Sequence, residues 1–328
     1  MEKVNIKITQ IDKQEAKGLK CSYLKLNFSG KSVNYALINT FRRLSLLYIP
    51  TYAFTKELIF IEENTSIFDN DYMRLRLSQL TLPNIKNHII TLSENIWKDV
   101  EYGDPNREKH PDDKKKLELF LNIENDTTEI KNVTSNDLRY FDDNEEKKNP
   151  FDEKYPLLLI QLRPGEKISC RLLAALGLGK RNDIWAAAAN AFYEEIDENN
   201  YDLTIESQGQ MNEYEILMKS CQIYIKKLED IKQFVGNKFN NSSIKEKNEL
   251  IIKLENEDHT LGIALNYFLQ QNKNIMFSGL SKPDLLIDEI KIKLVSAKKN
   301  PLEPFFETID FLLQLFNDIQ NQLVKLSR

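Results

Sequence analysis

The stretch Leu254-Glu-Asn-Glu-Asp-His-Thr-Leu-Gly262 marks the change from a strand to a helix. Alternating apolar residues predict a strand over residues 250–254, and a helical apolar pattern predicts a helix over residues 260–269. Acidic and hydroxyl side chains favour a helix N-terminus, because they accept hydrogen bonds from the free backbone amides. We therefore predict that Asp258 and Thr260 cap this helix.

Two long helices share an apolar spacing typical of packed helix seams. After Asn212, apolar residues recur at intervals of four and three residues from Leu217 to Val235, and the same intervals recur from Phe305 to Leu326. An ordinary core-facing helix would show a similar short pattern. Because one such helix closes each of two successive units, we expect the two helices to pack on each other.

The N-terminal part repeats the order of elements seen around residue 254. Alternation over residues 4–28 predicts two strands, and a helix capped by Ser32 follows and ends before Pro50. Ser32–Leu37 aligns without gaps with Thr260–Leu265, at an offset of 228 residues. This match indicates two copies of one α/β unit, able to form an internal pseudo-dimer.

The composition and the patterns together predict an α+β chain of two antiparallel sheet-and-helix units with an inserted small β-rich domain. The first unit is expected over residues 1–83 and 156–235, and the inserted domain over residues 84–155. A polar linker is predicted over residues 236–248, because GNKFNNSSIKEKN lacks a periodic apolar pattern. The second unit then covers residues 249–328.

Several functional classes are disfavoured by the sequence. The chain has 328 residues with 45 basic and 50 acidic side chains, a balance unlike that of a nonspecific DNA binder. No apolar run approaches the ~18 residues of a membrane span. No His or Cys pair has metal-ligand spacing, and the segment from Gly177 to Arg181 lacks the phosphate-loop pattern. We therefore expect no catalytic residue, cofactor or metal.

Ordered motifs give the chain a resemblance to the assembly subunits of multisubunit RNA polymerases. Residues 254–262, followed by Met276-Phe-Ser-Gly279, resemble the eleventh subunit of eukaryotic RNA polymerase II and the archaeal L subunit. The N-terminal part is similar to the third-largest subunit, archaeal D and bacterial alpha. It carries Asn39-Thr-Phe-Arg-Arg43, Ile49-Pro-Thr51, Asn64-Thr-Ser66, Arg76-Leu77, Leu162-Arg-Pro-Gly165, Gly177-Leu-Gly-Lys180, Trp185 and Ile205-Glu-Ser-Gln-Gly-Gln210. The cysteines that bind metal in some relatives of this family are absent here. The fusion of the two subunits in one chain resembles the arrangement in large cytoplasmic DNA viruses.

The resemblance implies a non-catalytic assembly subunit whose halves pair internally. The implied partners are the largest, second-largest and small polymerase subunits, with DNA contacted only through the complex and no membrane. The implied docking residues for the large subunits are Arg42, Arg43, Lys180 and Arg181. The implied pairing residues are Val33, Leu37, Phe41, Leu217, Tyr224, Leu228, Leu261, Gly262, Leu265, Phe305, Ile309, Leu312 and Phe316. Gly262 would allow two helices to approach closely.

Some alternatives stay open at the level of sequence. Arg42 and Arg43 could merely favour the C-terminal dipole of their helix, and Lys180 and Arg181 could be ordinary loop charges. A free-standing dimeric binding module or regulator would share the same α/β units. We expect a monomer, since the two halves pair with each other. We also expect a cytoplasmic setting, which would include a viral factory or virion if the source is viral.

Overall fold

The computed structural model describes residues 3–17, 20–239, 247–284 and 286–328. Within these ranges the α-helices are α1 (Tyr35–Leu47), α2 (Asn70–Ser78), α3 (Glu94–Trp97), α4 (Glu213–Phe239), α5 (His259–Gln270) and α6 (Leu302–Leu326). The strands are β1 (Lys7–Gln14), β2 (Tyr23–Ser29), β3 (Pro50–Asn64), β4 (Leu117–Glu124), β5 (Lys131–Thr134), β6 (Arg139–Asp142), β7 (Glu145–Lys147), β8 (Leu158–Leu162), β9 (Lys167–Leu178), β10 (Ala188–Asp197), β11 (Asn200–Ser207), β12 (Glu249–Glu255), β13 (Ile275–Ser281) and β14 (Glu289–Ser296). No described helix is long and apolar enough to cross a membrane.

Two units of the same type form the body of the molecule. In the first unit, α1 and α4 pack on an antiparallel sheet of order β1-β2-β11-β10. In the second unit, α5 and α6 accompany an antiparallel sheet of order β12-β14-β13. The predicted α+β class with two sheet-and-helix units is therefore confirmed.

The register of the repeat differs from the predicted one by one helical turn. Asn34 caps α1 by accepting a hydrogen bond from the Leu37 amide at 2.9 Å, whereas Asp258 caps α5. These caps lie 224 residues apart, and the buried positions of the two helices match at this same offset. The predicted offset of 228 and the predicted Ser32 cap are wrong. Ser32 instead accepts a hydrogen bond from the Asn5 amide at 3.0 Å.

The inserted domain is larger than the sequence suggested. Its five-stranded sheet has the order β3-β9-β4-β6-β7, and its core runs from Tyr52 to Leu176. The long strands β3 and β9 pair from Pro50↔Leu178 to Asn64↔Ile168, outside the expected bounds of 84–155. We propose bounds of about 50–186 for this domain, because the core of the two units resumes at Ala187.

One continuous apolar core joins the first and second units. Phe41 of α1 stacks on Phe316 of α6, with ring centroids 5.3 Å apart, and Phe316 stacks on Tyr224 of α4 at 4.2 Å. All the implied pairing residues are buried, and all except Gly262 belong to this shared core. At the far end of α6, the Gln322 side chain accepts a hydrogen bond from the Ile8 amide and donates one to the Ile6 carbonyl, at the start of β1. The two long helices therefore pack on each other across the two units.

The predicted linker begins later than expected. Helix α4 continues to Phe239, so residues 236–239 are helical and do not belong to the linker. The helical apolar spacing ends at Val235, which is why the sequence pattern placed the boundary there. Residues 240–246 of the predicted linker lie outside the described residues.

The aromatic contact at Phe316 should contribute strongly to stability. We expect Phe316→Ala to lower the free energy of unfolding by about 3–5 kcal/mol, because it leaves a cavity between Phe41 and Tyr224. Urea denaturation followed by circular dichroism measures this change. Phe234→Ala on α4, where the ring is 44% exposed, is the matched control and should change stability by about 0.5 kcal/mol. Equal losses in the two variants would contradict the central role of Phe316.

Candidate functional site: a charged junction between the two units

The carboxylate of Asp258 lies at the N-terminus of α5 and faces the first unit. Its Oδ1 accepts a hydrogen bond from the Thr260 amide at 2.7 Å. The preceding turn contains Asn256 with a positive φ of 63°, a conformation that asparagine tolerates better than most residues. The turn is held by the Asn256 amide, which donates to the Asp288 carbonyl at 2.7 Å. The sequence thus builds a tight strand-to-helix turn that presents a buried carboxylate.

Two side chains from α1 and the residue after it, and one that follows β9, converge on this carboxylate. The Tyr48 hydroxyl donates to Asp258 Oδ2 at 2.7 Å, and a terminal nitrogen of Arg43 lies 3.4 Å from the same oxygen. The Lys180 Nζ lies 3.6 Å away. Arg43 Nε also donates to the Thr260 hydroxyl at 2.8 Å. The Asp258 side chain is only 9% exposed, so these donors replace the water that it loses.

The contacts at this junction lower the pKa of Asp258, whereas the pKa values of Tyr48 and Glu257 are raised. Burial disfavours the charged form of Asp258, but the hydrogen bond from Tyr48 and the charge of Lys180 outweigh burial and lower its pKa. Burial and the Asp258 charge raise the pKa of Tyr48, which therefore stays a hydrogen-bond donor. Burial raises the pKa of Glu257, which lies 2.6 Å from Lys227 Nζ.

A second carboxylate links the inserted domain to the second unit. Asp288 precedes β14 and lies 2.8 Å from Lys180 Nζ, 3.4 Å from Lys282 Nζ and 4.0 Å from Lys98 Nζ. Lys98 follows α3 in the inserted domain, while Lys180 follows β9 and donates its backbone amide to the Leu47 carbonyl. Ion pairs through Asp288 therefore join the inserted domain to the second unit, and the backbone hydrogen bond of Lys180 connects them to the end of α1.

All four predicted docking residues make a contact inside the chain, and three of them contact residues of other elements. Arg43 and Lys180 reach the Asp258 junction, and Arg181 donates to the carbonyls of Trp97 and Val100 at 2.7 and 2.5 Å. Arg42 is half-buried, and its Nε donates to Asn39 Oδ1 at 2.9 Å. Neither arginine of α1 lies in the last helical turn, because the helix runs on to Leu47. The dipole interpretation of this pair is therefore wrong.

Two further predictions require correction. A Cβ atom on Gly262 would lie 2.8 Å from Leu280 Cδ1 and 2.9 Å from Ile290 Cδ1. Gly262 thus allows α5 to approach its own sheet, and not a helix of the first unit as the sequence suggested. Thr260 does not cap α5, since its hydroxyl accepts from Arg43 while Asp258 alone is the N-cap.

Sequence reasoning did not find several members of the junction. Tyr48, Lys98, Lys227, Lys282 and Asp288 carry no motif that marks them, because they come from distant elements. Lys227 had a weak signal, since it lies beside Leu228 on the predicted seam helix. No cluster of three or more potential metal ligands occurs among the described residues.

Comparison with known proteins agrees with this arrangement of two units. Residues 249–322 match the RNA polymerase Rpb3/Rpb11 dimerisation domain, and residues 27–228 match a second profile of the same description. The chain belongs to the Rpb3/Rpb11 family. The second match spans the inserted domain as well as most of the first unit.

Three relatives place this Rpb3/Rpb11-like chain among RNA polymerase subunits. It is 30% identical to a candidate DNA-directed RNA polymerase subunit of Acanthamoeba polyphaga mimivirus, over 92% of this chain and 90% of that protein. It is 26% identical to subunit 3B of RNA polymerases IV and V of Arabidopsis thaliana, over 53% and 54% of the two chains. Identity to subunit Rpo3 of Methanocaldococcus jannaschii is 25%, over 60% of this chain and 82% of that protein.

The charge of Asp258 should stabilise the junction of this Rpb3/Rpb11-like chain. Asp258→Asn keeps an N-cap acceptor but removes the charge that offsets Arg43 and Lys180. We expect the free energy of unfolding at pH 7 to fall by about 3 kcal/mol, as when one partner of a buried ion pair is removed. Urea denaturation measures it. Asp230→Asn, which removes the exposed partner of Lys226, should cost less than about 1 kcal/mol.

The stabilisation by the Asp258 charge should depend on pH in the acid range. Because the pKa of Asp258 is lower in the folded chain than in the unfolded chain, its stabilisation is complete above about pH 4 and falls as the pH decreases. The stability difference between the wild type and Asp258→Asn should be about 1 kcal/mol smaller at pH 3 than at pH 7. Urea titrations of both proteins at the two pH values test this expectation. A difference independent of pH would show that the charge is not responsible.

Proposed function

We propose that this chain is a non-catalytic assembly subunit of a multisubunit DNA-directed RNA polymerase. Its two units pair within one molecule, and the pair then docks the second-largest and largest subunits together with small subunits. DNA is contacted only through the finished complex. The family membership and the two Rpb3/Rpb11 matches support this proposal.

The observation that carries the proposal is the junction between the units. The chain contains two copies of a dimerisation domain. The two copies share one apolar core, and ion pairs connect them across their contact. Tethering makes the pairing step intramolecular, with an effective concentration on the order of millimolar. The chain therefore works as a preassembled pair, and we expect it to be a monomer.

The charged side chains at the junction bind one another, and we assign them no step of nucleotide transfer. The carboxylates of Asp258, Asp288 and Glu257 are engaged in ion pairs, and Tyr48 is held as a hydrogen-bond donor. We accordingly assign the chemistry of transcription to the large subunits. The mimivirus relative supports a viral setting in the host cytoplasm, a viral factory or the virion.

Two features support a docking surface for a large subunit. Apart from the Nε contact with Asn39, the Arg42 guanidinium has no protein partner among the described residues, so it is free to bind a partner carboxylate in a bidentate manner. On α2 and the turn before it, Phe68, Tyr72 and Leu75 are each at least 40% exposed, and the two rings stack at 4.7 Å. Exposed apolar stripes of this kind commonly mark protein interfaces.

Charge reversal at Arg42 tests docking without disturbing the junction. We expect Arg42→Glu to remain folded, with stability within about 0.5 kcal/mol of the wild type, because its side chain lies outside the ion pairs of Asp258. Recovery of the large subunits in co-purification with the tagged chain should fall on the order of tenfold or more. Mass spectrometry of the eluate gives the ratio of the chains.

The matched control is Arg163→Glu, since Arg163 is exposed and its side chain makes no ion pair within the described residues. This variant should co-purify with the large subunits as the wild type does. Normal incorporation of Arg42→Glu would refute the assignment of Arg42. Failure of the wild type to recover any large subunit would refute the proposed function and favour a free-standing binding module.

A further inference from the structure

Strand β13 forms a free edge of the second unit's sheet and carries no charged residue. Its sequence is Ile275-Met-Phe-Ser-Gly-Leu-Ser281, and among the described residues its only strand partner is β14. Met276 is 73% exposed and Phe277 is 53% exposed. A long apolar edge with open backbone groups is a template on which another extended chain can pair.

Other edge strands within the described residues are protected against such pairing. Strands β1, β3, β5, β7, β10 and β12 each contain charged residues. Strand β1 is further covered by the Gln322 amide, which binds the backbone of Ile6 and Ile8. Strand β8 also lacks charge, but Arg76 donates to the carbonyls of Leu158 and Leu159. Strand β13 carries no charge, and only its Ser278 carbonyl is bound by a side chain, so it is the least protected of the edges within the described residues.

The local geometry of β13 favours an extended partner. A Cβ atom on Gly279 would lie 2.9 Å from Phe277 Cζ, so the Phe277 ring lies across the backbone of Gly279 and forms a flat apolar surface. From the C-terminal end of α5, Gln270 Nε2 donates to the Ser278 carbonyl at 2.9 Å. This side-chain amide occupies a position that the backbone of an added strand could take.

Charge around the edge indicates what kind of segment would fit. Lys273 is exposed just before the strand and has no ion-pair partner among the described residues. Lys282 follows the strand and pairs with Asp288. Antiparallel pairing of two copies about Ser278, the strand centre, would place Lys273 of each copy opposite Pro283 of the other and one residue from its Lys282, which brings like charges close together and is unfavourable. A different chain with an acidic residue near Lys273 would instead complement the edge.

We propose that β13 is the docking edge for an extended segment of a partner polymerase subunit. The segment adds a strand beside β13, with apolar side chains against Phe277 and an acidic side chain beside Lys273. Main-chain hydrogen bonds supply binding, and the alternating side chains supply selectivity. This inference rests on the proposed function, because it assigns one of the partners' contacts to a particular edge.

The test uses the full chain, co-expressed with the two large polymerase subunits of its source. We expect the double variant Met276→Lys and Phe277→Lys to recover at least one large subunit on the order of tenfold less well, because charges on an edge oppose strand addition. Ile251→Lys is the matched control, since Ile251 is 57% exposed on β12 at the opposite edge of the same sheet. It should assemble like the wild type.

Amide hydrogen exchange in the wild-type complex provides a readout that does not depend on the folding of a variant. Exchange over residues 275–281 should slow on the order of tenfold or more on assembly, while β12 should change little. Unchanged exchange at β13 in a complex that does form would overturn this inference and leave the proposed function standing. A wild-type homodimer with a protected β13 would overturn the choice of partner. Absence of any complex would overturn the proposed function itself.

Discussion

The buried carboxylate of Asp258 is the constraint on which the arrangement of the two units depends. An aspartate at this position caps α5 through the Thr260 amide, but its second oxygen faces away from water. The groups that compensate this charge are Tyr48, Arg43 and Lys180, and all three lie outside the second unit. Apolar packing between Phe316 and Tyr224 supplies binding free energy, but it is not directional. The charged junction therefore selects one orientation of the two units.

The inserted domain shares in this arrangement through Lys180. This residue follows β9, and its backbone amide is held by the carbonyl of Leu47 at the end of α1. Its ammonium group then contacts both Asp258 and Asp288 of the second unit. Because one side chain contacts both carboxylates, the placement of the inserted domain and the pairing of the two units depend on the same ion pairs. Fusion of the units in one chain keeps these partners together.

Local sequence patterns predicted the long elements well, since each such pattern reflects a face that is buried along its whole length. The apolar spacing of α4 and α6 located both helices, and alternation located β12 and β14. The sequence patterns do not indicate helix α2, because Tyr72 and Leu75 on its outer face are exposed apolar residues that obscure a two-sided pattern. The repeat was found but misaligned by one turn, since residues four apart occupy the same face of a helix.

The sequence by itself determined that two α/β units occur in one chain, where their helices lie, and which family they belong to, because periodicity and short motifs are local properties. Only the tertiary structure decided which charges meet. It assigned Arg43, Lys180 and Arg181 to contacts between elements, gave Arg42 a contact with Asn39, and paired β3 with β9, on which we base the wider limits proposed for the inserted domain. An ion pair such as Lys180 with Asp288 joins residues 108 positions apart, and no local pattern encodes that separation.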